Sequence, residues 1–163
     1  MTTLIPLNDG TSIPWLAFGT GTALYRRDAA DSVTLAIANG FTHLDCAQSY
    51  GNEESLGAGI KASGKPRSEL YIVTKMNRID EGQSVRQSLE ASLRRLGVDH
   101  IDLFLIHNPL PWLNQLKQVW REMEDLKRAG LTNSIGVSNF TAQHLAEICE
   151  GATILPAVNQ VCI

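Results

Sequence analysis

Phe41-Thr42-His43-Leu44-Asp45-Cys46-Ala47-Gln48-Ser49-Tyr50-Gly51-Asn52-Glu53 is the stretch around which the rest of the chain is arranged. It opens as a buried strand, with Phe41 and Leu44 apolar and Thr42 β-branched. The carboxylate of Asp45 comes where that strand should run out, and the phenol of Tyr50 follows just before Gly51. A carboxylate and a phenol leaving one strand end form a costly arrangement if packing is the only purpose. Three later segments also end on polar side chains.

Outward from this stretch, the chain alternates strand and helix patterns. Leu4 to Leu7 and Thr11 to Ile13 flank Asn8-Asp9-Gly10 and read as a hairpin. Leu16 to Gly19 is a short strand ending in the small-residue loop Gly19-Thr20-Gly21-Thr22. Asp28 to Asn39 places Val33, Ala36 and Ile37 on one helical face, with Gly40 as its stop. Thr42 to Asp45 is strand, Glu54 to Ser63 helix stopped by Gly64, and Leu70 to Lys75 strand. Ser84 and Gln87 form a capping box ahead of a helix carrying Val85, Leu89, Leu93 and Leu96, which Gly97 ends. Ile101 to His107 is apolar at nearly every position, as in a parallel strand buried on both faces. A helix with Leu116, Val119, Trp120, Met123 and Leu126 runs to Gly130. Ser134 to Ser138 is strand, Thr141 to Glu150 helix, and Ala157 to Val161 strand.

Strict alternation of this kind calls for a parallel α/β sheet with right-handed crossovers, either an open doubly wound sheet or an eight-stranded barrel. An open dinucleotide fold should show Gly-x-Gly-x-x-Gly between a strand and a helix. Gly19 and Gly21 begin that pattern and Leu24 breaks it; Gly57, Gly59 and Ala62 fit it formally but lie inside a helical stretch. The barrel is the favoured reading. Six barrel strands are counted, about six of eight β/α units, and a full barrel typically needs about 250 residues.

Composition narrows the function. The 163 residues are 44% hydrophobic and 19% charged with net charge −3, which fits one globular domain over 1–163. There is no basic stripe to bind nucleic acid, and no apolar run long enough to span a membrane. No secretory signal is read at Met1, so a cytoplasmic location is expected. Cys46, Cys149 and Cys162 lack metal-ligand spacing and read as free thiols, with no metal site.

Four strand ends carry the chemistry: Asp45 with Tyr50, Lys75, His107, and Ser138-Asn139. Each has an ordinary reading alone, as a cap, a packing aromatic or a solvated end. Together they place an acid, a phenol, an amine and an imidazole on one rim. A phenol of pKa about 10 is a poor donor at neutral pH. A nearby ammonium is expected to lower that value, each unit being worth about 1.4 kcal/mol. A carboxylate holds the amine, and an imidazole orients a carbonyl oxygen. The set describes a general acid protonating that oxygen while another species attacks the carbon. No residue of the set is an evident nucleophile, so hydride from a nicotinamide is the natural attacker.

These residues resemble the aldo-keto reductases nearly end to end. HLDCAQSYGNE (43–53) is similar to the family's Asp-and-Tyr signature and GKPRSELYIVTK (64–75) to its lysine segment. IDLFLIHNP (101–109) resembles its histidine strand, while SIGVSNF (134–140) and PAVNQV (156–161) resemble its nicotinamide-contacting segments. The resemblance implies an α/β fold of the parallel (β/α)8 barrel type, plugged by the N-terminal hairpin. It implies NADPH-dependent reduction of an aldehyde or ketone by a tetrad of Asp45, Tyr50, Lys75 and His107, with Tyr50 as acid. Ser138, Asn139 and Gln160 would hold the nicotinamide carboxamide, and Gly19 and Thr20 would line the cofactor cleft beside Asp45.

Two departures from the family pattern carry further expectations. Pocket tryptophans of several family members fall on Gly21, Asn77 and Asn108, which implies a more open and polar pocket. The family pattern continues past Val161, whereas this sequence reads as C-terminally truncated. That implies weakened NADPH binding, since the segment gripping the 2′-phosphate comes later. It also implies self-association through open barrel edges. The alternative is a catalytically impaired partial barrel that serves as an interaction fragment.

Overall fold

The computed structural model describes residues 3–161, so the reading of Cys162 lies outside the described residues. β1 (Leu4–Pro6) and β2 (Ser12–Pro14) pair antiparallel as the expected hairpin, with Leu4 opposite Pro14. Its turn closes on Gly10 at φ +84°, and the Asp9 carboxylate accepts from the Thr11 N–H at 3.1 Å and hydroxyl at 2.7 Å.

β3 (Ala17–Gly19), β4 (His43–Asp45), β5 (Tyr71–Met76), β6 (Ile101–Ile106), β7 (Thr132–Ser138) and β8 (Asn159–Gln160) form one parallel sheet in chain order. A doubly wound sheet reverses its strand order at a switch point; this one does not, and it curls as six strands of a barrel. The crossovers are α1 (Ala30–Ala38), α2 (Glu53–Ser63), α3 (Val85–Leu96), α4 (Leu116–Arg128) and α5 (Ala142–Cys149).

Local chemistry sets these boundaries. Ser84 and Gln87 make the reciprocal capping box that starts α3, and Gly97 at φ +68° ends it. Thr141 and His144 cap α5 in the same way. In α4, Leu116, Val119, Trp120, Met123 and Leu126 are all buried, so the apolar stripe faces the sheet. The Gly57 and Gly59 spacing has a packing cause. A Cβ on Gly57 would lie 2.4 Å from the Leu96 carbonyl oxygen, and one on Gly59 would lie 2.6 Å from that of Ala30. These glycines let α2 approach α3 and α1 closely, so neither belongs to a phosphate-binding turn.

Side chains alternate across each strand, and the sheet has two apolar faces. Leu44, Ile72, Phe104, Ile106, Ile135 and Val137 join the large core under the helices. Val73, Leu103 and Leu105 form a small inner cluster capped by Ile13 of the hairpin, Tyr71 and Val158. β6 is apolar from Leu103 to Ile106 because it serves both cores, and its one charged residue, Asp102, pairs with Arg67 near the start of the strand. The regular part of the last strand is shorter than expected, with Asn159 and Gln160 level with Val137 and Ser138, although backbone bonds to β7 begin at Ala157, whose N–H donates to the Ile135 carbonyl at 2.9 Å. Pro156 has no N–H to donate on the approach, and ordered pairing starts after it.

Candidate active site

The two-residue period decides what reaches the barrel mouth. Val73 faces inward, so Lys75 does; Leu105 faces inward, so His107 does. The register carries this parity across the sheet: Asp45 is level with Val73, Lys75 with Leu105, and Ser138 with Gln160. Asp45, Lys75, His107, Ser138 and Gln160 therefore converge on one rim.

Lys75 is 1% exposed. Its ammonium donates to Asp45 Oδ1 in a short ion pair and to the Cys46 carbonyl at 3.0 Å. The second Asp45 oxygen accepts from Gln160 Nε2 at 3.1 Å, across the mouth of the barrel. The Lys75 Nζ also lies 5.2 Å from the centre of the Tyr50 ring, a distance at which the ring quadrupole attracts a cation. The His107 imidazole stands edge-on to the same ring, 5.5 Å between centres at 80°. All four residues of the expected tetrad are thus assembled at one place.

Tyr50 is carried by a single 3-10 turn, Gln48–Tyr50, closed by Gly51 at φ +65°. Its carbonyl accepts from the Arg26 N–H at 2.8 Å, and the Tyr25 ring packs edge-on at 6.2 Å. The phenol rests against Gly21, where a Cβ would lie 2.9 Å from the hydroxyl oxygen.

Electrostatics modify one expectation. Burial raises the proton affinity of Tyr50; Lys75 lowers it and Asp45 raises it, and the net shift is upward from 10.0. Lysine pulls in the expected direction but does not prevail, since Asp45 neutralises it and desolvation penalises a phenolate. Tyr50 is a protonated acid at neutral pH. Burial and then Lys75 hold His107 below the ordinary histidine range of 6.5 against the pull of Asp45, so the imidazole is neutral. Burial drives the Cys46 thiol far up, which makes it inert.

The residues expected around the cofactor divide into two kinds. Ser138 donates to the Gln160 carbonyl at 2.7 Å. Asn139, at φ +61°, donates to the His107 carbonyl at 3.1 Å and to Ser138 Oγ at 3.0 Å. A primary carboxamide needs a donor for its oxygen and acceptors for its nitrogen, and amide side chains supply both kinds, so the set fits a nicotinamide. Gly19 is exposed with open space where a Cβ would be. Thr20 is fully buried and donates to the Asp45 carbonyl at 3.3 Å, so its side chain supports the rim from behind. Asn77 and Asn108 are half-buried just beyond the ends of β5 and β6.

Four further residues hold the site, all within the opening stretch. Asn52 donates to the carbonyls of Thr20 at 3.0 Å and Leu24 at 2.8 Å, fixing the loop over Tyr50. Glu53 is 3% exposed and accepts from Thr74 at 2.7 Å and Arg95 Nε at 2.7 Å. Gln48 donates to Ser88 Oγ at 2.9 Å and Ser92 Oγ at 3.0 Å, and Ser49 Oγ lies 3.2 Å from His107 Nδ1. Their spacing around Tyr50 is visible in the sequence, but their partners, on other elements, are not. Among the described residues no His, Cys, Asp and Glu group is arranged for a metal, and no helix is long and apolar enough to cross a membrane.

A sequence profile of the aldo/keto reductase family matches residues 15–163. The chain is 41% identical over 163 residues to an NAD/NADP-dependent indole-3-acetaldehyde reductase of Schizosaccharomyces pombe, covering 93% of this chain and 56% of that protein. It is 41% identical over 158 residues to a glyoxal reductase of Bacillus subtilis, covering 96% and 56%. Among solved structures, an aldo/keto reductase from Brucella melitensis superposes with TM-score 0.89 at 34% identity, over 100% of this chain and 64% of that one. A Bombyx mori aldo-keto reductase in complex with NADP gives TM-score 0.86 at 35% identity, over 99% and 58%. The chain spans about half the length of the curated relatives it matches.

Proposed function

The chain belongs to the aldo/keto reductase family, and on that premise we propose that it serves NAD(P)H-dependent reduction of an aldehyde or ketone to an alcohol. The observation that carries this reading is the buried Lys75, ion-paired to Asp45 and facing the Tyr50 ring with His107 edge-on beside it. A dihydronicotinamide, when bound, would supply the hydride for the carbonyl carbon. His107 donates a hydrogen bond to the carbonyl oxygen and orients it. As the C=O π pair moves onto that oxygen, Tyr50 transfers its phenolic proton there and becomes a phenolate beside Lys75, later reprotonated from solvent. Lys75, ion-paired to Asp45, stabilises that phenolate. Ser138, Asn139 and Gln160 would hold the carboxamide of that cofactor, and Gly19 would line its cleft.

The two named relatives act on an indole acetaldehyde and on glyoxal, which supports a small aldehyde as substrate. Asn77 and Asn108 give the pocket a polar rim suited to it. We place this chemistry in the cytoplasm, where Cys46 and Cys149, unpaired in the structure, stay reduced. We read 1–163 as a single unit. β3 and β8 are the two edges of the described sheet, and a polypeptide of these residues self-associates through them.

The test is a fluorescence titration with NADPH, followed by turnover of an aromatic aldehyde read as NADPH oxidation. The expected result is binding by both wild type and Tyr50→Phe, with turnover in the wild type alone. Turnover that survives in Tyr50→Phe, or no NADPH signal in either protein, overturns the reading.

A further inference from the structure

We propose that Ser49 is a positioning residue that sets the tautomer of His107, its hydroxyl donating to Nδ1 so that the ring proton sits on Nε2 and faces the carbonyl oxygen. This rests on the reading of the site given above.

Ser49 Oγ and His107 Nδ1 are 3.2 Å apart, and this is the one hydrogen bond recorded for either group among the described residues. A neutral imidazole has one donor nitrogen and one acceptor nitrogen, and the partner of one decides the role of the other. A hydroxyl can serve in either direction, so the distance alone allows two arrangements. If Nδ1–H donates to Ser49, Nε2 presents a lone pair to the carbonyl oxygen, and two acceptors face each other. That lone pair would also accept from the Tyr50 hydroxyl and engage the acid unproductively. If Ser49 donates, Nε2–H meets the carbonyl, and the Tyr50 proton stays available for transfer.

The surroundings make the contact a fixed one. The His107 backbone is held at both ends, its N–H donating to the Met76 carbonyl at 2.9 Å and its carbonyl accepting from Asn139 at 3.1 Å. Ser49 lies between Gln48 and Tyr50 on one short turn. Gln48 anchors that turn to Ser88 and Ser92 of α3, and its Oε1 accepts from the Asn77 N–H at 3.3 Å. The acid and the group that orients its neighbour therefore ride on one anchored segment. The charged and titratable groups around the ring are Tyr50, Lys75 and Asp45, and burial and Lys75 together keep the imidazole neutral.

The test is long-range proton–nitrogen NMR on the 15N-labelled full chain, with His107 assigned by Histidine-107 replacement (His107→Gln). The wild type above pH 7 should show Nδ1 unprotonated and Nε2 protonated. Ser49→Ala removes the donor to Nδ1, so the share of neutral His107 carrying its proton on Nδ1 should rise above that of the wild type, and Ser49→Thr should restore the wild-type spectrum. A protonated Nδ1 in the wild type, or a tautomer population unchanged in Ser49→Ala, overturns the proposal. The wild-type spectrum decides the matter even if Ser49→Ala does not fold. The tautomer is read without turnover, so an inactive chain that shows the expected spectrum would count against the enzymatic reading and leave the Ser49 contact standing.

Discussion

Replacing Gly21 by alanine tests whether the placement of the phenol, beyond the presence of Tyr50, governs the reaction. A Cβ at this position would lie 2.5 Å from Tyr50 Cζ, 2.7 Å from Cε2 and 2.9 Å from the hydroxyl oxygen. Carbon atoms settle at about 3.5 Å or more, so the ring must retreat by about 1 Å or the loop must yield. The loop is tied down: the Thr20 N–H donates to the Asp45 carbonyl at 3.0 Å, and Asn52 holds the carbonyls of Thr20 and Leu24. Gly21 is not among the positive-φ glycines, so alanine adds no backbone strain and the effect is steric. A misplacement of about 1 Å costs on the order of 10²-fold in rate, equivalent to about 2.7 kcal/mol of barrier. The assay is aldehyde-dependent NADPH oxidation, with thermal melts as the control for folding. The Tyr50 ring resonances, set by Tyr25 at 6.2 Å and His107 at 5.5 Å, should shift whatever the turnover. Wild-type kcat together with unmoved Tyr50 resonances would refute the reasoning.

Lys75→Met leaves Asp45 with Gln160 alone in a largely buried setting and should destabilise the fold by about 3 kcal/mol, measured by urea denaturation. The Lys75→Met/Asp45→Asn double variant should recover most of that loss, because no uncompensated charge remains. On the proposed mechanism Tyr50 must be protonated to act, and burial raises its pKa from 10.0, so kcat/KM should stay flat through neutral pH and fall only beyond that value. An alkaline limb near pH 8 (an assay condition) would show that Lys75 outweighs burial. Asp9 is penalised by burial, but bonds from Lys127, Thr11 and Ser134 more than offset that and hold its carboxyl below 3.8. Its contribution, about 2 kcal/mol, is therefore present above the unfolded value and lost as pH falls through the depressed folded one. The stability gap between wild type and Asp9→Asn should be full near neutrality and close below pH 3.8.

What was legible in the sequence is chemistry that a residue performs with its near neighbours. The Ser84–Gln87 capping box and the glycine stops at Gly40, Gly64 and Gly97 are local events, and the structure keeps them where the pattern put them. The rim residues were legible for the same reason: a polar side chain at the end of an apolar strand has one direction to go, and the sheet is parallel. Contacts between elements were illegible. Ser49 and His107 are 58 residues apart, Gln48 and Ser88 40, and Arg95 and Glu53 42. No pattern within a strand or a helix names such partners; the packing of α2 on α3, permitted by Gly57, does. The proton affinity of Tyr50 failed for a related reason. Proximity to Lys75 could be inferred from strand order, but the sign depends on how much water the phenol loses and how closely Asp45 neutralises the ammonium. Burial acts on the phenol directly, whereas the lysine acts through a charge already paired, and burial prevails. In the reaction proposed above, a phenol kept protonated in this way would hold its proton until the carbonyl oxygen gains charge, and the lysine would then act on the phenolate left behind.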